Sequence, residues 1–332
     1  MERWSGRVAL VTGASAGIGA AICRFLVDKG MKVVGAARKE ERIQALADEL
    51  ADKPGSLTAI KCDITKDSDV LGLFASIKEK FGGVDVCINN AGMSHNHSLL
   101  ERLKNQSLTG LRRECSEKTC YGCIGADCYM NNQFYNVIKL TLNTCVFISS
   151  YSCSPTDGTP EEWREMLDVN VVGLCLCTRE AVASMHENNV DDGQIIHISS
   201  IAGHQVTSYS TIHFYSATKF AVRALTEGLR QELRGLESHI RVTAISPGVV
   251  KTEFLSRMVK DKEKAQGFFT NKKCLQAEDI VSTVVHVLST PPHVEVSGWI
   301  CTLTVHHVFL QFLKYSSVIC RLSPSPHIGS FT

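Results

Sequence analysis

Tyr215 and Lys219 stand four residues apart in Tyr215-Ser216-Ala217-Thr218-Lys219, a spacing that puts two side chains on one face of a helix. A phenol with a pKa of about 10 exchanges protons poorly at neutral pH. A neighbouring ammonium favours the phenolate, and a shift of roughly three units corresponds to about 4 kcal/mol. Such a phenol can give a proton to, or take one from, an alcohol or carbonyl oxygen. Chance often produces Tyr-x-x-x-Lys, so the spacing alone says little. Ser200 adds weight, because it follows the strand-like run 195–198 and its hydroxyl can polarise the same oxygen. The carboxyl end of a parallel strand is where an open α/β sheet places its ligands.

A second constellation lies near the start, in Thr12-Gly13-Ala14-Ser15-Ala16-Gly17-Ile18-Gly19. Glycines let the chain turn sharply and let a pyrophosphate approach the main chain, while the helix that follows offers unpaired N–H groups. A bare glycine turn is the plainer reading, but the strand–loop–helix setting favours a dinucleotide. The end of the second strand then selects the cofactor. An NAD site usually has an acidic residue there for the ribose 2′-hydroxyl. Here Ala36-Ala37-Arg38-Lys39 comes before any carboxylate, and these two cations suit a 2′-phosphate. The expected cofactor is NADP(H), with Arg38 and Lys39 as its selectors.

The elements that must position these groups alternate along the chain. Strand-like runs at 7–12, 31–37, 57–62, 84–88, 194–198 and 240–245 are separated by helical spacing at 17–29, 40–50, 70–81, 161–185 and 214–236. A further helix is expected at 277–288, and 294–305 can supply a seventh strand. Near-continuous apolar strands between helices imply an α/β fold of the Rossmann type: a doubly wound parallel sheet covered on both faces.

Together these pieces resemble the short-chain dehydrogenase/reductase family. The matching motifs are Thr12-Gly13-x-x-x-Gly17-Ile18-Gly19, Cys62-Asp63, Asn89-Asn90-Ala91-Gly92, Asn170, Ser200, Tyr215-x-x-x-Lys219 and Pro247-Gly248, in the family's order. The resemblance implies that Tyr215 is the general acid in reduction, that Lys219 lowers its pKa and binds the nicotinamide ribose, and that Ser200 holds the substrate oxygen. It implies that Asn170 anchors a water of the proton relay. Asp63 would touch the adenine, and Asn90, Ala91 and Gly92 would support the cofactor beside the fourth strand. Thr252, after Pro247, Gly248 and Val250, would reach the carboxamide, and Ser15 would join the phosphate loop. Finer features, among them Asn188–Gly193, Glu227–Arg234 and Val287–Pro291, are similar to one branch of the family. That branch implies reduction of 17-keto and 3-keto steroids and other lipophilic carbonyl compounds, and a homo-oligomer. Val249, Val250, Phe254, Leu255, Met258, Phe268 and Phe269 suit an amphipathic flap over an apolar pocket.

Two stretches depart from the family pattern. Seventy-seven residues separate Gly92 from Asn170, far more than the family carries there. Residues from about 100 to 155 lack periodicity and hold six of the fourteen cysteines. An uninterrupted loop of that length is expected to be disordered, and reads as a variant segment such as a retained intron translated in frame. The cysteine cluster lacks the paired short spacings of a zinc site, and no His lies between 98 and 185, so no metal is expected. The domain is therefore expected over 1–305, interrupted by the insertion, with an atypical tail at 306–332. The alternative to an active reductase is a catalytically impaired, splice-variant-like isoform that at most binds the dinucleotide.

Composition sets the remaining bounds. The net charge of +1 over 332 residues, with 44% hydrophobic residues, suits a soluble globular chain and leaves no basic footprint for nucleic acid. No apolar stretch of signal-peptide length precedes the first strand, so a cytoplasmic location is expected. Residues 299–320 have nearly the length of a membrane span, but His306, His307, Gln311 and Lys314 would be costly in lipid.

Overall fold

The structure is a computed structural model that describes residues 1–96, 158–206, 210–259, 266–267, 269–270, 273–303 and 320–322. The insertion with its cysteine cluster, and nearly all of the tail, lie outside the described residues.

The chain begins as strict alternation. Strand β1 (Val8–Thr12) leads into α1 (Gly17–Asp28), β2 (Lys32–Ala37), α2 (Glu40–Glu49), β3 (Ser56–Lys61), α3 (Asp67–Phe81) and β4 (Val86–Asn89). After the insertion come α4 (Pro160–Leu167) and α5 (Gly173–Glu187), then β5 (Gln194–Ile198), α6 (His213–Gly235), β6 (Arg241–Pro247), α7 (Glu253–Val259) and α8 (Ala277–Ser289). Short strands β7 (Val294–Val296), β8 (Gly298–Cys301) and β9 (Cys320–Leu322) complete the described elements. Seven strands form one parallel sheet in the order β3-β2-β1-β4-β5-β6-β8, with the order reversing between β1 and β4.

Successive residues of β1 explain the three layers. Ala9 and Val11 pack into one core with Ile22 and Leu26 of α1, Ile43 of α2 and Ile280 and Val284 of α8. Val8 and Leu10 point the other way, into a second core with Leu73 and Ile77 of α3, Leu176 and Ala181 of α5 and Leu233 of α6. A strand buried on both faces must be apolar at nearly every position, as β1 is. All strands consequently end on one edge of the sheet, which is where the chemistry-bearing residues gather.

Two element boundaries differ from the periodicity. The stretch 161–185 is not one helix: five residues, Asp168–Val172, form a π-helical turn between α4 and α5. The extended run 294–305 is also divided. Gly298–Cys301 is the seventh strand, while Val294–Val296 leaves the sheet and pairs antiparallel with β9. Trp299, Cys301 and Leu303 do share the core-facing side, as alternation requires.

The cysteines behave as small apolar residues. Cys23, Cys62, Cys87 and Cys177 are buried and unbridged, and burial pushes the Cys23, Cys62 and Cys177 thiols up to about 12. Among the described residues no helix is long and apolar enough to cross a membrane, and no group of His, Cys, Asp or Glu could hold a metal ion.

Candidate active site

The glycine loop is shaped by what lies behind it. Gly13 has φ +67°, and a Cβ there would sit 2.9 Å from Ala91 Cα. At Gly19 a Cβ would fall 2.4 Å from the Gly13 carbonyl oxygen, so only glycine allows helix α1 to start this close to the loop. No side chain caps α1 at Ala16, which leaves its first N–H groups for a ligand. Thr12 and Asn90 weld the ends of β1 and β4 together. The Asn90 and Ala91 N–H groups both donate to Thr12 Oγ1 at 3.1 Å, and Asn90 Nδ2 donates to the carbonyls of Thr12 (2.9 Å) and Gly13 (3.3 Å). This cradle, with a glycine wall that a single Cβ would fill, fits a pyrophosphate. Ser15 and Ile18 lie on the same turn, Ile18 with its side chain against the core.

Beyond the end of β2, Arg38 lines two cavities of about 390 and 360 Å³, and Asp63, expected to touch the adenine, lines the second. Asp63 Oδ1 accepts from Thr65 N–H and Oγ1, so the carboxylate is fixed in place. Lys39 is the N-cap of α2 but its side chain makes no capping bond.

The residues expected to be catalytic meet near the end of β5. Ser200 caps a short 3₁₀ turn, its Oγ accepting from Ala202 N–H at 3.1 Å, and its side chain also hydrogen-bonds to Tyr215. Lys219, one helical turn on, is buried with Nζ 5.8 Å from the Tyr215 ring centroid and donates to the Ile198 carbonyl at 3.0 Å. Asn170 enters from the π turn: Oδ1 accepts from Met93 N–H and Nδ2 donates to Met93 carbonyl, both at 2.8 Å, and Nδ2 also reaches Thr218 Oγ1 at 3.0 Å. A side chain at Gly92 would come within 3.5 Å of Asn170 Oδ1 and 3.7 Å of Lys219 Nζ, so the Asn90–Gly92 turn forms the wall of this pocket.

Burial, rather than the ammonium, dominates the electrostatics. Desolvation pushes the Tyr215 phenol up to about 12, only partly opposed by the Ser200 hydrogen bond. It pulls the Lys219 ammonium down to about 8. Burial and the Ser200 hydrogen bond set the Tyr215 phenol, and Lys219 is not among the causes of its shift, so the lowering by Lys219 that the spacing suggested is not seen in this arrangement.

Residues 248–254 follow β6. Gly248 N–H donates to Cys301 carbonyl at 2.8 Å, and Val250 forms a parallel bridge with Leu275. Three consecutive residues then touch three different walls. Thr252 lies against Gly17, at 3.2 Å from where a Cβ would stand. Glu253 accepts from Arg42 of α2 at 2.9 Å, and the Phe254 ring is 5.9 Å from that of Tyr215. Sequence reasoning missed Met93, Thr218, Arg42 and Glu253. Each acts through a partner far along the chain, and no local pattern signals it.

A glycine cradle at the switch point of a parallel sheet, beside a Ser–Tyr–Lys–Asn cluster whose Lys219 and Asn170 are buried, defines a dinucleotide-dependent oxidoreductase. Comparison with known proteins agrees. The family model for short chain dehydrogenase matches residues 7–109 and 133–263. The chain is 44% identical over 299 residues to "Dehydrogenase/reductase SDR family member 11" of Gallus gallus, covering 89% of this chain and 95% of that protein. It is 39% identical over 298 residues to "Farnesol dehydrogenase" of Aedes aegypti, covering 89% of this chain and 95% of the relative. Among solved structures, "The Closed form of serine dehydrogenase complexed with NADP+" is 28% identical with a TM-score of 0.65, covering 90% of this chain and 99% of its own. The chain belongs to the short-chain dehydrogenase/reductase family and is an NAD(P)-dependent oxidoreductase of that family.

Proposed function

We propose that this protein reduces a lipophilic ketone or aldehyde, such as a 17-keto or 3-keto steroid, to its alcohol with NADPH in the cytoplasm. The observation that carries the reading is the hydrogen-bonded Ser200–Tyr215 pair with Lys219 and Asn170 packed behind it. Bound dinucleotide supplies or accepts a hydride; the protein does the rest. In this reading the Ser200 hydroxyl and the Tyr215 phenol share one substrate oxygen. Tyr215, protonated at neutral pH, gives its proton to that oxygen as the carbonyl becomes an alkoxide. Lys219 and Asn170 hold the proton path that restores the phenol. Phe254, its ring 5.9 Å from that of Tyr215, offers an apolar surface beside the phenol for a lipophilic substrate. Arg38, with no carboxylate at the end of β2, supports the choice of NADP(H) over NAD(H). The names of the relatives, a dehydrogenase/reductase and a farnesol dehydrogenase, support an apolar alcohol–carbonyl pair.

The test is NADPH oxidation with a 17-keto steroid, comparing the protein with Tyr215→Phe and Arg38→Asp. Tyr215→Phe should lose about 10²-fold or more in kcat. Arg38→Asp should move preference toward NADH, and an unchanged cofactor ratio would refute the NADP assignment. Tight NADPH binding without turnover in the intact chain would instead establish the impaired isoform.

A further inference from the structure

The cavity of about 390 Å³ beside Arg38 is lined by Glu40, Glu41, Gln44 and Lys61. Lys61 is the last residue of β3 and pairs in register with Ala37, the residue before Arg38, so the two cations rise from neighbouring strand ends. The third wall is the first turn of α2, whose N-cap Lys39 makes no side-chain capping bond. We propose that Lys61 is a second cation for the 2′-phosphate of NADP(H), acting across this cavity from Arg38; the inference rests on the NADP(H) reading above.

The charges on the cavity wall give Lys61 its weight. Glu40 and Glu41 are two carboxylates facing a space meant for a dianion. Against them Arg38 alone leaves the wall at a formal charge of −1, and only Lys61 brings it to zero. Lys39, beside Arg38 in the chain, does not line this cavity, and two other nearby cations are engaged elsewhere. Arg42 donates to Glu253 through Nη1 at 2.9 Å. Arg164 pairs with Glu161 at 3.3 Å and lines the neighbouring cavity, where Asp63, Glu161, Glu165 and Asp168 outnumber it. Lys61 is exposed and forms no ion pair among the described residues, so its ammonium is available to an incoming phosphate. A flexible lysine suits this position, since it neutralises as a point charge while the Arg38 fork sets orientation.

Calorimetric binding of adenosine 2′,5′-bisphosphate and of adenosine 5′-monophosphate, measured on the full chain, separates the cases. Lys61→Gln should weaken the bisphosphate about tenfold and the monophosphate less than about twofold, with Lys61→Glu weaker still. The NADPH/NADH ratio of kcat/KM should fall in step. If Lys61→Gln binds the bisphosphate like the parent while Arg38→Gln binds it poorly, the role of Lys61 is overturned and NADP(H) use stands. If the parent itself does not distinguish the two nucleotides, both fall. The Lys61 side chain is exposed, and circular dichroism of each variant checks that the fold is kept.

Discussion

Asn170 holds Met93 by both ends, accepting from its N–H and donating to its carbonyl at 2.8 Å each, across 77 residues of sequence. The bond pair ties the turn after β4 to the π segment between α4 and α5. A π turn costs regular helical hydrogen bonding and is often found at functional sites. Here it turns Asn170 inward, where it is 1% exposed, while Thr218 supplies a third partner.

Asn170→Ala removes all three bonds and leaves the Met93 N–H without its acceptor. We expect a loss of about 2–3 kcal/mol in urea unfolding at unchanged m, together with a fall in kcat. A variant with parental kcat would remove Asn170 from the proton path.

The phenol at about 12 sets a pH signature. As the acid in ketone reduction it stays protonated, so kcat/KM for reduction should be flat from about pH 6 to 8. As the base in alcohol oxidation it must be deprotonated, so that rate should climb about tenfold per pH unit. An oxidation plateau below about pH 9 would mean that Lys219 acts on the phenol in the loaded enzyme more strongly than burial does.

Gly19→Ala tests the cradle. A Cβ at 2.4 Å from Gly13 O must push α1 away from the loop, because the obstacle is backbone and cannot yield. Dinucleotide binding should fall at least tenfold, seen as loss of the thermal shift that NADPH gives the parent.

The described residues on either side of the insertion are already clamped to one another. Besides Met93–Asn170, His95 Nε2 lies 3.0 Å from Glu165 Oε2 on α4, and Thr159 closes a capping box with Glu162. Deleting residues 100–155 should therefore keep or raise kcat/KM with a 17-keto steroid and improve solubility. Loss of activity on deletion would give that segment a functional role.

His197 offers a stability test. It is buried on β5 between Thr178 Oγ1 (3.1 Å) and Thr226 Oγ1 (2.9 Å), and desolvation pulls its pKa down to about 3. The unfolded chain binds its proton near pH 6.5 and the folded chain does not. Its contribution is thus whole above pH 6.5 and shrinks as pH falls toward 3, by at most about 1.4 kcal/mol per pH unit. His197→Gln should be less stable at pH 7 yet show a shallower decline between about pH 6 and 4 in urea titrations. Parallel declines would show that His197 is not kept neutral by the fold.

The sequence by itself determined the alternating strands and helices, the glycine loop and the Tyr215–Lys219 face, since all three follow from spacing within one element or one turn. The relatives confirm the family those motifs indicate. Tertiary structure alone decided where 161–185 breaks, because the π turn is fixed by Asn170 partners 77 and 48 residues away. It decided likewise that β8 starts at Gly298, that Glu253 reaches Arg42, and that Lys61 and Arg38 line one cavity. It also set the direction of the Tyr215 and Lys219 shifts, since motif spacing brings a charge near but only packing decides how much water is removed.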